Sequence, residues 1–449
     1  MTDTSRNDHL EGSASPAVSE VAKRSRAAAR ALAKLSHHQR NETLLALAAT
    51  IEANRETILR ANALDCEAAE FQVALGTMSA ALFARLEVTE RGVAAMAARV
   101  RDVAGLPDPI GRRLTAIELD EGLVLYKESC PLGVVGIVFE SRPDVIPQVA
   151  SLTLKSGNAV ILKGGAEAAH TNETLVSIWR SRLAQFPNVP IDSIQLLHTR
   201  TDVIELLSLD RDVDLIIPRG SREFVEFVGR ASRIPVLGHG EGICHVYVDR
   251  LADLVKALAI VYDSKVDYPA ACNAAETLLV HEAIAPEFLP QAAQRLGSSG
   301  VELRGCSQTV ALLASEQIRP ATEKDWSTEY SDKILSIKIV ASLDEAIRHI
   351  DEFGSRHTET IVTEDQAAAK RFLEEVDAAG VYHNASTRFA DGFRYGLGAE
   401  LGISTSKLHA RGPVGLEGLV TYKYKLVGEG HTVAEYSSGK KTFRHRPIA

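Results

Sequence analysis

No apolar run in this 449-residue chain approaches the length a bilayer demands, so a membrane-spanning helix is not expected. The opening stretch, MTDTSRNDHLEGSASPAVSE, carries acidic residues and no apolar segment. It reads as neither a secretory signal nor a transit peptide, and residues 1–19 are expected to form a disordered tail. Paired cysteines are missing: Cys66, Cys130, Cys244, Cys272 and Cys306 are odd in number and widely scattered. Without a C-x-x-C pair or a Cys/His ligand spacing, neither a disulfide framework nor a metal site is expected, and a reducing cytoplasmic setting fits. Positive charge is not in surplus. A formal net charge of -9 argues against nucleic acid as the main partner, while leaving room for a local basic pocket that holds a small anion. Neither the G-x-G-x-x-G nor the Walker pattern occurs, and no internal repeat is evident.

What is present is ordinary globular material, 45% hydrophobic and 24% charged. The length calls for about two or three domains. From Val21 to about Val103, Ala, Leu, Arg and Glu dominate and apolar residues recur at helical spacing. Pro109 to Cys130 alternates around "DEG" as a hairpin would. The rhythm then changes. "GVVGIVFE" and "NAVILKGG" are continuous apolar runs suited to buried parallel strands, each followed by a helical pattern; "SIQLLH" and "VDLIIP" continue the series. Repeated β-α-β units predict a doubly wound parallel sheet, which binds ligands beyond its strand C-termini. A second α/β region follows "ICHVYVD" and runs to about Thr405, and "GLVTYKYKLVGEGHTV" alternates like edge strands.

Several segments carry candidate chemistry. "IIPRGSREF" places Gly220 and Ser221 after a strand and before a helix, where free N–H groups attract anions; a plain strand-helix turn reads equally well. Lys163 ends a buried strand beside two glycines, within reach of a ribose or phosphate, or simply solvated there. Cys272 lies in "DYPAACNAAETLLVHE". A lone cysteine is usually inert packing. Against that, Pro269 and the neighbouring alanines leave little bulk around the sulfur, and Asn273 can offer a backbone N–H to an oxyanion. No His-Asp partner can be placed, so a triad is not supported. "STSKLHARGPVG" gathers Lys407, His409 and Arg411 in a loop suited to phosphate or carboxylate, or to solvent. "YHNASTRFADGFRYGLGAE" mixes polar, aromatic and glycine residues as site loops often do.

Together, "DYPAACNAAETLLVHE", "NASTRFADGFRYGLGAELGISTSKLHARGPVGLEGL", "FESRPDVIPQVASLTLKSGNAVILKGG" and "DLIIPRGS" resemble the gamma-glutamyl phosphate reductase branch of the aldehyde dehydrogenase superfamily. The resemblance covers nearly the whole chain after the tail. It implies an aldehyde dehydrogenase-like α/β fold: a Rossmann-type cofactor domain (20–108 and 131–245), an α/β catalytic domain (246–405), and a small β oligomerisation element built from 109–130 and 412–449. It implies NADPH-dependent reduction of L-glutamyl 5-phosphate to glutamate 5-semialdehyde with phosphate release, in proline biosynthesis. Cys272 would form a thioester, with the Cys272/Asn273 backbone as oxyanion donor. Lys163, Gly164, Arg219, Gly220, Ser221 and Glu329 would contact NADP. Ser141, Arg142, His409 and Arg411 would meet the substrate's anionic groups. Homo-oligomers are implied, with no nucleic acid or membrane partner and with transient contact to a glutamate 5-kinase as an open expectation. No kinase half is expected within this chain.

Two departures from the superfamily pattern matter. Leu237 falls where hydrolytic aldehyde dehydrogenases carry a general-base glutamate, and Glu241 is out of register. Without that base, water is poorly activated, which favours phosphate as the acyl partner. Ala166 replaces a lysine common among relatives near the expected 2'-phosphate, so NAD use stays open beside NADP. The alternatives are a hydrolytic aldehyde dehydrogenase acting on another small aldehyde, which Leu237 disfavours, and a catalytically silent binding partner, which Cys272 disfavours.

Overall fold

Five helices open the chain: Val18–Leu32, His37–Ala53, Arg55–Ala74, Ala80–Leu86 and Glu90–Gly105. The second starts where it does because Ser36 and Gln39 close a capping box, with Gln39 N–H donating to Ser36 Oγ (3.2 Å) and Ser36 N–H to Gln39 Oε1 (2.9 Å). Its Leu44, Leu47 and Ile51 pack into one core with Val93, Met96 and Val100 of the fifth. The computed structural model describes residues 17–140, 142–238, 240–314 and 318–448. Helix Val18–Leu32 begins inside the segment expected as tail, because Val18, Val21 and Leu32 are buried in that same core. The rest of the expected tail, 1–16, lies outside the described residues.

The continuous apolar runs form a four-stranded parallel sheet in the order Ile194–Leu197, Ala159–Lys163, Val134–Phe139, Leu215–Arg219. Every residue of Val134–Phe139 is buried, as expected of a strand covered on both faces. Helix Val145–Lys155 ends at Gly157, whose φ of 72° reverses the chain into the next strand. The chain's first strand in this sheet lies beside its fourth, pairing Phe139 with Arg219. That reversal of strand order is a topological switch point, and the crevice beyond it is where such sheets hold ligands.

A second parallel sheet has seven strands in the order Ile318–Pro320, Glu302–Gly305, Ile334–Val340, Ala275–His281, Cys244–Val248, Thr358–Val362, Gly380–His383. The boundary expected between residues 245 and 246 therefore falls inside strand Cys244–Val248, which pairs with Ala275–His281 and Thr358–Val362. The predicted hairpin is strands Arg113–Asp120 and Leu123–Pro131. Val420–Val427 adds to one side and Arg446–Pro447 to the other, giving a four-stranded antiparallel sheet. No helix among the described residues is long and apolar enough to cross a membrane.

Candidate active site

Cys272 sits on a turn between helix Leu254–Val266 and the central strand Ala275–His281 of the larger sheet. Ala271 N–H donates to Tyr268 C=O (3.1 Å) and Ala274 N–H to Ala271 C=O (2.9 Å), a tightness that the small side chains allow. Gly242 presses on this turn: a Cβ there would stand 1.9 Å from the Cys272 carbonyl oxygen and 2.7 Å from its Cα. Beneath, the buried Cys244 thiol donates to the Cys272 carbonyl at 3.4 Å. The backbone N–H groups of Cys272 and Asn273 make no backbone hydrogen bond among the described residues. The Asn273 side chain is committed elsewhere, its Nδ2 donating to Ala390 C=O at 2.9 Å, while its buried Oδ1 has no described partner.

Four charged side chains dominate at the sulfur. Burial, then the carboxylates of Glu329 and Glu400, push the Cys272 thiol up to about 12, against the downward pull of Arg219 and Arg388. The resting thiol is therefore protonated at neutral pH. Glu329 accepts the Gly242 N–H at 3.0 Å, so it braces the turn that presents the cysteine. Glu400 accepts the Gly392 N–H (2.8 Å) and is itself pushed up to about 7 by burial. Arg388 is buried and tied to Asp267, with Nε and Nη2 each 3.2 Å from Oδ2. Arg219 has no ion pair among the described residues; its Nη1 is buried without a hydrogen-bond partner, and Gly402 lies against its Nε. Burial and the neighbouring Arg142 pull it down to about 10, which leaves it charged at neutral pH.

The residues expected from sequence divide between places. Lys163 is half-buried at the end of strand Ala159–Lys163, its pKa lowered by burial, with Glu167, Arg200 and Glu140 around it. Gly164 and Gly220 keep their backbones close to other groups: added Cβ atoms would meet Asn172 Nδ2 at 2.1 Å and the Glu140 carboxylate at 2.9 Å. Ser221 caps helix Arg222–Ala231, its Oγ accepting Phe224 N–H at 3.3 Å. Both glycines therefore make room for the protein's own side chains at the strand C-termini, Asn172 at one and Glu140 at the other. Arg142 is exposed and bears on both Arg219 and Glu400. Ser141 lies outside the described residues. Arg411 instead pairs with Asp377 (2.8 Å), as does Lys407 (2.7 Å), and His409 Nε2 is bonded to Gly418 C=O (3.0 Å); none of the three is among the charges that dominate at Cys272. Leu237 is buried in the core, and Glu241 pairs with Arg222 at 2.8 Å. Arg388 and Glu400 were not singled out from sequence. Their one signal was the polar, aromatic and glycine-rich make-up of the segment from Tyr382 to Glu400.

A cysteine on a turn before the central strand of one parallel sheet, acted on by an arginine that ends a strand of the other, fits an enzyme that uses a thiol nucleophile. The family model described as "Aldehyde dehydrogenase family" matches residues 8–305. Gamma-glutamyl phosphate reductase of Synechococcus sp. (strain JA-3-3Ab) is 56% identical over 436 residues, covering 96% of this chain and 94% of its own. The enzyme of that name from Cyanothece sp. is 55% identical over 433 residues, covering 96% and 98%. The crystal structure of gamma-glutamyl phosphate reductase from Thermotoga maritima superposes with a TM-score of 0.90 at 40% identity, covering 93% of this chain and 100% of that one. The chain belongs to the gamma-glutamyl phosphate reductases of the aldehyde dehydrogenase family, whose hydride chemistry uses a nicotinamide cofactor.

Proposed function

We propose that this chain reduces L-glutamyl 5-phosphate to L-glutamate 5-semialdehyde and inorganic phosphate in the cytoplasm, as a step of proline biosynthesis. The observation that carries the reading is the Cys272 turn itself: a thiol on a braced turn, facing two guanidinium groups, in a molecule whose position 237 is a buried leucine. Cys272 Sγ attacks the acyl carbon, forming the S–C bond and moving the carbonyl pair onto oxygen; the Cys272 and Asn273 N–H groups, which have no backbone partner among the described residues, would receive that charge. Return of the pair breaks the C–O bond to phosphate, which departs with its electrons and leaves a thioester on Cys272. Reduction of this thioester would draw its hydride from a nicotinamide cofactor held at the strand C-termini of the smaller sheet. Collapse of the resulting thiohemiacetal frees the aldehyde and restores the thiolate. Glu400, raised to about 7 by burial and acting on the sulfur through its charge, is the proposed acceptor of the thiol proton. Water is a poor acyl acceptor here because Leu237 offers no base and Glu241 is held by Arg222.

Lys163, Gly164, Gly220 and Ser221 would hold the cofactor, with Glu329 beside the reacting centre. NADPH is the proposed reductant. Ala166 is exposed, and Glu140 and Glu167 stand near Lys163, so discrimination against NADH is expected to be modest. Assembly through the antiparallel sheet is proposed from the exposed Tyr422, Tyr424 and Leu426 on its outer strand, and a transient contact with glutamate 5-kinase would protect a labile acyl phosphate. The deciding experiment is NADP reduction by glutamate semialdehyde with and without phosphate, in wild type and Cys272→Ala. Turnover that requires both phosphate and the cysteine is expected. Phosphate-independent oxidation to glutamate would overturn the proposal.

A further inference from the structure

We propose that Arg219, at the switch point of the smaller sheet, is the residue that receives the phosphoryl group of the acyl phosphate and of incoming phosphate in the reverse reaction. The inference rests on the acyl-phosphate reading above and reassigns a residue whose sequence position suggested cofactor contact. Four observations converge. Arg219 ends strand Leu215–Arg219 beside Phe139, so its side chain emerges at the mouth of the crevice. It lies against the backbone of Gly402, where an added Cβ would stand 3.6 Å from Nε. Its charge and that of Cys272 act on each other, and it is the foremost of the cations at the sulfur. Its Nη1 is buried with no hydrogen-bond partner among the described residues.

The other basic groups are differently placed. Arg388 also faces Cys272, but Asp267 already binds it at two nitrogens. Arg411 pairs with Asp377 through Nη1 while its Nε and Nη2 are buried without a partner among the described residues, but it is not among the charges that act on Cys272. Arg142 is exposed, with its Nε 3.9 Å from Asp144, and adds a second positive charge beside Arg219. Glu400 faces Arg219 without forming a described ion pair with it, so one guanidinium edge stays open.

Substrate chemistry selects among the anionic groups. In the adduct with Cys272, only the reacting carbon and the bridging oxygen separate sulfur from phosphorus. The α-carboxylate lies at the far end of the side chain. A guanidinium whose charge acts on the sulfur is therefore better placed for the phosphoryl oxygens than for the α-carboxylate. As the C–O bond breaks, negative charge grows on the departing phosphate, and a fixed, desolvated guanidinium stabilises that charge. In reverse, the same group holds phosphate while its oxygen attacks the thioester carbon and the thiolate leaves.

The test uses the full-length enzyme, with Arg219→Gln and Arg219→Lys. Phosphate KM in semialdehyde oxidation is expected to rise at least about tenfold in Arg219→Gln and less in Arg219→Lys, with semialdehyde KM changing by less than about threefold. Independently of turnover, inorganic phosphate alone should slow iodoacetamide alkylation of Cys272 in wild type. The half-protecting concentration should rise about tenfold in Arg219→Gln. Nucleotide affinity, read by quenching of NADPH fluorescence, should stay unchanged, and a wild-type urea-unfolding midpoint should report separately that the variant is folded. An unchanged phosphate KM with a raised semialdehyde KM would assign Arg219 to the α-carboxylate and overturn the proposal. Loss of NADPH affinity would return it to the cofactor. Wild-type oxidation that needs no phosphate would instead sink the acyl-phosphate reading itself.

Discussion

Gly242 sets how closely the main chain approaches the Cys272 turn. A methyl group at this position would stand 1.9 Å from the Cys272 carbonyl oxygen, 2.6 Å from its carbonyl carbon and 2.7 Å from its Cα. All three are backbone atoms, so no rotamer change relieves the clash. Heavy atoms pack at about 3.5 Å, so in Gly242→Ala the Cys272 turn has to retreat by more than about 1 Å. A displacement of that size at a nucleophile costs on the order of 10²-fold in rate. It also disturbs the Gly242 N–H to Glu329 bond, and overpacking of this kind typically costs about 1–3 kcal/mol of stability. The assays are kcat/KM for phosphate-dependent semialdehyde oxidation and urea unfolding. Gly229→Ala is the control: it lies within helix Arg222–Ala231 with nothing inside 4 Å of an added Cβ, and should gain roughly 0.5–1 kcal/mol without loss of rate. A Gly242→Ala enzyme with wild-type rate and stability would refute the claim that this backbone contact sets the position of the sulfur.

Other expectations follow from the same charges and packing. Glu329→Gln removes the larger of the two carboxylate effects that raise the Cys272 thiol, so iodoacetamide alkylation at pH 8 should accelerate; slower alkylation would mean that bracing outweighs charge. Glu400 is raised in the fold to about 7 from an ordinary carboxyl value, so the folded state keeps a proton that the unfolded chain gives up. Its ionisation therefore lowers stability progressively as pH rises from about 4.5 to about 7, by at most about 3 kcal/mol. Glu400→Gln should be more stable than wild type at pH 8 and similar at pH 4.5 in urea titrations; the opposite order would refute this. The buried Lys265–Glu276 pair, 2.7 Å apart, should cost about 3–5 kcal/mol when broken by Lys265→Met and much less when both are made apolar. Equal losses in the single and double variants would show that the lost lysine packing matters more than the stranded carboxylate.

Much of this architecture is local in origin. Four consecutive apolar runs could only be covered on both faces, and they form the buried strands of one parallel sheet. The alternating hairpin and the C-terminal strands pair as their periodicity suggested. The first helix begins at Val18, earlier than composition implied, because a valine that touches a distant core carries no local mark of that contact.

The site was legible only where short range sufficed. Cys272 stands out in a long motif crowded with small residues, and Leu237 marks a missing base through its identity alone. The surroundings of the sulfur come from far along the chain: Gly242 and Cys244 beneath it, Glu329 bracing the turn, Arg388 and Glu400 from the segment past the last parallel strand. Arg219 and Arg411 look alike in sequence, each an arginine followed by glycine. One is ion-paired with Asp377, and the other has no ion pair among the described residues and acts on the cysteine of the turn that precedes the larger sheet's central strand. Residue identity set which chemistry was available. Strand order and long-range approach set which charges face the thiol, because electrostatics depends on distance in space and on burial, neither of which a linear spacing encodes.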